Sequence, residues 1–323
     1  MATSKSDRGH TLAAGREPAA VKARPVELSA DMPLAEAFRA VARNCLHHLL
    51  ANERALLAHG DGEAVHQMRV ALRRLRSALK VFRPLVDGPQ LNALKEEVRW
   101  LLDLLGPARD AEVFLAEIID PVVKGLPDRT GLSTLRDHWR AERQADLEAA
   151  RQAVENRRFT LLLLDLGAWV EAGDWSSDAA LPGFAHRNDA LGPFARGVLD
   201  RLARKLHKAG GRHLAALAPP DLHQVRIHGK RLRYAGEFFA PLHAKSEAKA
   251  YLGALADLQD RLGEINDIAV AGPRLAGCHH LGDAAWAAGL VTGWHEARRP
   301  ALIAAADELW TDFRKVRKFW RKG

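Results

Sequence analysis

The chain has 323 residues, of which 47% are hydrophobic, and this is enough apolar surface for a sizeable core. The same totals exclude a chain that is disordered throughout, because disordered chains lack apolar residues. Lysine and arginine number 48 against 40 acidic residues, a formal net charge of +8, so the composition favours an anionic partner without naming one.

The cysteines and the N-terminal residues bear on the compartment. Cys45 and Cys278 match no metal-ligand or redox spacing, as expected in a reducing compartment. Residues 1–32 are polar, rich in Ala and Pro and without the apolar core of a signal peptide, which predicts a flexible leader. The most apolar run, residues 161–170, is interrupted by Asp165 and is too short to span a bilayer. We therefore predict a cytoplasmic protein without a membrane partner.

Apolar residues recur at intervals of three and four almost everywhere after Pro33, which predicts an all-α protein. Alternating β-branched runs bounded by turn residues are hard to find. A looser stretch at 173–188 is predicted to link two halves, residues 33–172 and 189–323. In the first half, glycine and proline residues separate predicted helices at 33–58, 62–86, 90–105, 108–124, 130–157 and 159–171.

The second half repeats the first at a constant offset of 157 residues. Residues 66–85 align with residues 223–242, with ten of the twenty positions identical, and the register continues downstream without an insertion. Helical periodicity alone aligns leucines, but it does not align His, Gln, Arg, Pro and Asp. The pattern therefore predicts an internal duplication. By analogy with symmetric dimers, two similar bundles are expected to pack about a pseudo-two-fold axis, with equivalent surfaces facing one another across a cleft.

Each half contains one helix with a cationic stripe, because side chains at i, i+3, i+4 and i+7 are neighbours on a helix. Arginine donates two parallel hydrogen bonds to phosphate oxygens, and histidine adds charge when a nearby anion holds it protonated. Asp61 and Asp221 are predicted to cap these helices, whose first turns also favour anions. The stripes consist of His66, Arg69, Arg73, Arg76, Lys80 and Arg83 in the first half and of His223, Arg226, Lys230 and Arg233, ending at Glu237, in the second, with Arg74 and Arg231 on the flanks.

A plainer interpretation of these side chains stays open. Any single arginine on the stripes is equally explained by a surface ion pair with a neighbouring helix. His66 and His223 are each explained by a structural role as a cap or brace at the helix start. The recurrence of the whole pattern in both halves favours an anion-binding surface.

The two aligned blocks resemble the CHAD family, the conserved histidine α-helical domain. The segments 105–110 and 262–267 are similar to the family's Leu-Gly-x-x-Arg/Asn-Asp segments, and the resemblance extends from about Pro33 to the C-terminus. It implies two helical bundles related by a pseudo-two-fold axis, a basic central cleft or pore, and binding of inorganic polyphosphate. The family's basic cluster matches His66, Arg69, Arg73, Arg76, His223, Arg226, Lys230 and Arg233, with Arg74 and Arg231 also matching. His228, Gly229 and Gly236 depart from the pattern, because they weaken helix propensity in the second basic helix.

The resemblance implies a stand-alone binding module that is associated with polyphosphate granules in the cytoplasm. Family members often accompany a triphosphatase domain of the CYTH class, but its Glu-x-Glu-x-Lys motif is absent from this sequence. The sequence also has no P-loop, no His-Glu-x-x-His motif and no nucleophile elbow. We therefore predict no enzymatic activity, no catalytic residue, no cofactor and no metal.

One alternative is a metal-dependent enzyme that processes polyphosphate. Its candidate Mg²⁺ ligands are carboxylates that follow the two basic helices. Asp110 and Asp267 are better explained as caps or braces, since each follows a Leu-Gly break where a new helix is predicted to begin. The full candidate set is Asp103, Asp110, Asp260, Glu264 and Asp267.

The second alternative is a nucleic-acid-binding protein that uses the same basic surface, with weak electrostatic binding. The C-terminus mixes cations with Phe313, Phe319 and Trp320, a combination that suits backbone charge and base stacking. Docking of these aromatic residues against the core is the simpler interpretation. The cations of this segment are Arg314, Lys315, Arg317, Lys318, Arg321 and Lys322.

Overall fold

The computed structural model describes residues 18–280 and 282–321, and the regular elements in these ranges are helices. An isolated bridge pairs Pro33 with Ala190, and no β-strand is formed in the described ranges. The all-α prediction is confirmed. None of the described helices combines the length and the apolar character that crossing a membrane requires.

The chain before residue 173 forms a series of long helices with short connections. In order they are α1 (Leu34–His59), α2 (Gly62–Val81), α3 (Arg83–Val86), α4 (Pro89–Val113), a π-helical segment (Phe114–Ile119), α5 (Asp120–Gly125), α6 (Leu132–Glu155) and α7 (Arg157–Ala172). The later part contains α8 (Asp174–Ser177), α9 (Leu191–Gly210), α10 (Pro219–Phe239), α11 (Lys245–Ala276) and α12 (Asp283–Phe313), with 3₁₀ turns at Pro182–His186, Leu214–Ala216, Ala240–Leu242 and Gly277–His280.

The helices form two compact units that do not follow the predicted halves. One unit contains the described residues up to Arg109 together with residues 144–195, and the other contains residues 110–143 and the described residues from Arg196 onward. The boundaries fall inside α4, α6 and α9 because these helices are continuous there. The predicted linker at 173–188 contains α8 and a 3₁₀ turn, and the division of the chain into two homologous halves stays a prediction.

The described part of the predicted flexible leader, residues 18–32, is ordered against α1. The backbone N–H of Val21 donates to Asn52 Oδ1 at 2.9 Å, and Asn52 Nδ2 donates back to Val21 O at 3.0 Å. His48 Nε2 donates to the same carbonyl at 3.1 Å. Side chains of α1 therefore satisfy backbone groups of a segment without regular secondary structure, which corrects the prediction for these residues. Residues 1–17 of the predicted leader lie outside the described residues.

Each unit has an aromatic core. In the first unit, the ring of Phe38 packs edge-on against Trp169 and Trp175, with centroid distances of 5.7 and 5.0 Å. In the second unit, the ring of Tyr251 packs in the same manner against Phe319 and Trp320, at 5.8 and 5.0 Å. Because Phe319 and Trp320 are 3% and 1% exposed, the C-terminal aromatic residues are core residues, as the simpler interpretation predicted.

Two pairs of helices begin at positions that agree with the offset in the sequence. The first residues of α1 and α9 are Leu34 and Leu191, which differ by 157. The first residues of α2 and α10 are Gly62 and Pro219, which differ by the same number. The internal duplication stays a prediction, but the offset assigns corresponding positions on these helices.

Candidate functional site

The local sequence of α2 determines which of its faces is exposed. Met68, Leu72 and Leu75 are buried, and they orient the helix against the core of the first unit. The predicted cap is confirmed, since Asp61 Oδ1 accepts a hydrogen bond from the backbone N–H of Glu63 at 2.8 Å. The helix begins with a satisfied donor, and the face opposite the core presents Arg73, Arg76 and Lys80 to solvent.

Arg73 and Arg76 are the exposed guanidinium groups of α2. Neither forms a side-chain hydrogen bond or an ion pair with another residue in the ranges 18–280 and 282–321. They are three residues apart and therefore neighbours on the helix, where like charges repel. Lys80 extends the exposed stripe by one turn, and His66 lies half-buried at its start. An anion that contacts Arg73 and Arg76 together would relieve their repulsion.

Arg69 and Arg74 lie inward, although both were predicted as binding residues. Arg69 is 6% exposed, and its Nη1 donates to the backbone carbonyl of Leu102 in α4 at 3.2 Å. Arg74 is 8% exposed, and its Nη2 donates to Asn44 Oδ1 in α1 at 3.4 Å. These two side chains join α2 to its neighbouring helices, so in this structure they hold the exposed arginines in place.

The glycine of the first Leu-Gly segment makes room for Arg69. A Cβ atom on Gly106 would lie 2.9 Å from Arg69 Nη1, closer than a Cβ atom normally approaches any heavy atom. At the corresponding position of the second half, a Cβ on Gly263 would meet no atom within 4 Å. The two glycines therefore have different neighbours.

This difference gives a matched pair of substitutions. Gly263→Ala is expected to raise the thermal midpoint, because alanine is favoured over glycine inside a helix by about 0.5–1 kcal/mol. Gly106→Ala is expected to leave the midpoint unchanged or lower it, because Arg69 must move away from Leu102 O. Thermal unfolding followed by circular dichroism measures both changes, and an equal rise for the two variants would contradict the packing of Arg69 on Gly106.

On α10 the second cationic stripe is only partly exposed. His223 is exposed, and Arg226 and Lys230 are half-buried. Arg233 Nε donates to Glu237 Oε1 at 3.1 Å, so the acid at the end of this stripe neutralises its last arginine. The predicted Asp221 cap is wrong: α10 begins at Pro219 after an Ala218 N-cap, and Asp221 is an acidic residue of the first turn. Asp221 still interacts favourably with the helix dipole.

His223 belongs to a short chain of hydrogen bonds that the sequence analysis missed. Its Nδ1 lies 2.7 Å from Asn266 Oδ1, and Asn266 Nδ2 donates to Asp267 Oδ1 at 3.3 Å. The bond to Asp267 sets the orientation of the amide, so the oxygen of Asn266 faces His223 and Nδ1 carries the proton. The alignment that placed Asn266 in the repeated segment was the available signal for this contact.

Asp110 and Asp267 are not helix caps, because no helix begins at either residue, and their role as braces stays a prediction. α4 continues through Gly106 to Val113, and α11 runs unbroken past Gly263. A helical glycine costs about 1 kcal/mol and Pro107 inside α4 about 3 kcal/mol, and the buried leucines of α4 outweigh both. Arg83 is also displaced from the predicted stripe, since it lies in α3 and pairs with Asp87 at 3.0 Å.

The remaining carboxylates of the metal hypothesis lie on α4 and α11. Glu264 Oε2 accepts a hydrogen bond from Arg261 Nη1 at 2.7 Å, and Asp103 and Asp260 are exposed. In the part of the chain that the structure describes, no three His, Cys, Asp or Glu side chains are grouped in a way that could hold a metal ion.

The fold and the site together define a helical protein with basic helices that present exposed arginines. A family model described as the CHAD domain matches residues 40–276. The chain therefore belongs to the CHAD domain family.

Relatives and solved structures agree with this assignment. The uncharacterized proteins Rv2226 and MT2285 of Mycobacterium tuberculosis are each 30% identical over 243 residues, which is 71% of this chain and 44% of theirs. This chain thus spans less than half the length of the curated relatives it matches. A crystal structure of the CHAD domain from the plant Ricinus communis is 36% identical with a TM-score of 0.78, and the match covers 93% of this chain and 98% of that one.

A second solved structure supports the fold alone. PptA from Streptomyces chartreusis has a TM-score of 0.65 at 18% identity, and the match covers 86% of this chain and 99% of that one.

Proposed function

We propose that this chain binds inorganic polyphosphate, without catalysis, through the cationic stripes of α2 and α10. The observation that carries the proposal is the pair Arg73 and Arg76. Both are exposed and neighbouring, and no carboxylate among the described residues pairs with either. Each planar guanidinium group offers two parallel donors to phosphate oxygens, so successive phosphates of one chain suit the two side chains.

The chemistry of His223 supports an anionic ligand in the second unit. His223 is exposed, and its Nδ1 donates to Asn266 Oδ1, so Nε2 is the ring nitrogen that a ligand can contact. The ring is therefore held in one orientation next to the first turn of α10, where the helix dipole favours an anion.

Polyphosphate is favoured over nucleic acid because the aromatic residues on which the nucleic-acid alternative depends are not available for base stacking. The C-terminal aromatic residues Phe313, Phe319 and Trp320 are buried and offer no surface for stacking. Membership of the CHAD family, for which the resemblance implied polyphosphate as the ligand, supports the same choice. Association with cytoplasmic polyphosphate granules is part of this proposal, and the central cleft between the bundles stays a prediction.

Affinity is expected to increase with the number of phosphates in the chain, because each added phosphate within the stripe forms further charge-assisted hydrogen bonds. Calorimetric titrations with orthophosphate, tripolyphosphate and long-chain polyphosphate at one salt concentration measure this dependence. Competition with single-stranded and duplex DNA at the same salt concentration separates the two ligand classes. Displacement of polyphosphate by DNA of equal total charge would contradict the proposal.

A further inference from the structure

A second group of cations lies on the exposed face of α9. Arg201, Arg204, Lys205 and Lys208 have the spacing i, i+3, i+4 and i+7, so they share one side of the helix, and all four are exposed. None of them forms a side-chain hydrogen bond or an ion pair with a residue of the described ranges. We call these four residues the α9 stripe.

The acidic residue of α9 does not neutralise this stripe. Asp200 is the sole carboxylate between residues 191 and 210. Its Oδ1 accepts hydrogen bonds from Trp320 Nε1 at 3.0 Å and from Arg321 Nε at 3.2 Å, both in the C-terminal segment. Asp200 therefore binds Trp320 and Arg321 on one side of α9. It does not neutralise the four cations of the stripe, which repel one another.

The corresponding face of α1 is uncharged and covered. At the 157-residue offset, the α9 stripe corresponds to Asn44, His47, His48 and Ala51. Burial lowers the pKa of both His47 and His48, so their rings are neutral at physiological pH. The irregular segment 18–32 contacts this face, with Asn44 Nδ2 donating to Arg24 O at 2.9 Å and His48 Nε2 donating to Val21 O at 3.1 Å. On α1, a non-helical segment of the chain thus lies on the face that is exposed and cationic on α9.

Arg231 of α10 belongs with the α9 stripe rather than with the stripe of α10. It is the next residue after Lys230, which places it about 100° around the helix from that side chain. In the first unit the corresponding Arg74 donates to Asn44, whereas in the second unit the position that corresponds to Asn44 is Arg201. Where Arg74 has the neutral partner Asn44, the corresponding position for Arg231 is therefore occupied by a second cation, Arg201. The nearby cations also affect His228. Burial is the main cause that lowers the pKa of His228, and the positive charges of Arg231 and Lys205 lower it further.

We propose that the α9 stripe and Arg231 form a second polyphosphate-binding surface, which takes up the continuation of a long chain already held by α10. This inference rests on the proposed function. An extended polyanion suits the surface because the cations follow the helix axis over two turns and no acid interrupts them. Every exposed side chain between residues 201 and 210 of α9 is basic, so the surface offers no exposed aromatic platform for bases and no exposed apolar residue for insertion into a membrane.

The proposal is tested with the triple variant Arg201→Glu, Arg204→Glu and Lys205→Glu and with tripolyphosphate and a polyphosphate of about 100 phosphates. A long chain that contacts both surfaces gains avidity, so the triple variant is expected to lose roughly tenfold in affinity for the long polyphosphate. Tripolyphosphate is too short to occupy both surfaces at once, so its affinity is expected to change less than about twofold. The matched control is Arg54→Glu, Arg129→Glu and Arg157→Glu, which changes net charge equally at exposed positions on other helices and loops.

The outcomes separate the two proposals. An unchanged affinity of the triple variant for the long polyphosphate, or an equal loss in the control, overturns the second surface and leaves the proposed function standing. Failure of the unaltered protein to bind either polyphosphate overturns the proposed function itself. A triple variant that loses only duplex DNA binding assigns the surface to nucleic acid and overturns the inference. Circular dichroism verifies that each variant is folded.

Discussion

Replacement of both Arg73 and Arg76 by glutamate is expected to weaken the binding of long polyphosphate by about 100-fold or more. A hydrogen bond to a charged group contributes about 1.5–3 kcal/mol, so loss of two such contacts costs about 3 kcal/mol at least. The introduced carboxylates add repulsion to that loss. The fold is expected to survive, because both side chains are exposed and have no partner in the described ranges. Titration at one fixed salt concentration measures the change.

The matched control for this variant is Arg54→Glu with Arg157→Glu. Both residues are exposed in the same unit, neither is on α2, and the net charge changes by the same amount. Lys230→Glu in α10 is expected to act in the same direction as the α2 variant. If the control loses as much affinity as the Arg73 and Arg76 variant, binding depends on total charge alone and the assigned stripe is wrong.

The second large effect is the dependence on salt. Release of counterions from a polyanion makes the logarithm of affinity fall linearly with the logarithm of salt concentration. With about six phosphates neutralised, affinity is expected to fall by on the order of 10³ between about 50 mM and about 200 mM salt. The Arg73→Ala, Arg76→Ala variant is expected to show a slope that is smaller by about 2, since each lost contact removes about 1.

The salt series distinguishes an electrostatic site from an apolar one. Titrations at four or more salt concentrations give the slope for the unaltered protein, for the alanine variant and for an Arg54→Ala, Arg157→Ala control. An affinity that does not change with salt would contradict the electrostatic mechanism. A reduced slope in the control but not in the α2 variant would move the contacts elsewhere on the surface.

The sequence predicted the basic helices well but not the orientation of each arginine. Arg69 and Arg76 are seven residues apart, so two turns of helix place them on nearly the same side of α2. Arg69 is buried and Arg76 is exposed because α4 places Gly106 opposite the first of them. Helical periodicity describes a single helix, whereas this difference depends on the neighbouring helix.

The same limit explains the errors in the helix boundaries. Gly106 and Pro107 were expected to end a helix, but α4 continues to Val113 because apolar residues are buried on both sides of that point, Leu105 before it and Ala108 and Ala111 after it. The caps assigned to Asp110 and Asp267 depended on this break and were wrong with it. Asp61, whose cap depends only on the adjacent residues, was predicted correctly. The sequence predicted the local cap correctly, but it did not predict that long helices continue through glycine and proline.

The polar composition of the N-terminal segment also did not predict that part of it is ordered. Residues 18–32 lack the apolar pattern of a helix, yet hydrogen bonds from Asn44, His48 and Asn52 hold part of this segment against α1. The partners are more than twenty residues away in most of these contacts, so a local pattern does not predict them. This segment is informative because it contacts the face of α1 that corresponds to the exposed α9 stripe.

The most direct measurement of the central claim is a crystal structure of this chain with bound long-chain polyphosphate. We expect phosphate oxygens at about 2.7–2.9 Å from guanidinium nitrogens of both Arg73 and Arg76, the usual length of charge-assisted hydrogen bonds. Polyphosphate bound elsewhere on the protein, with both of these side chains still in contact with solvent alone, would contradict the account.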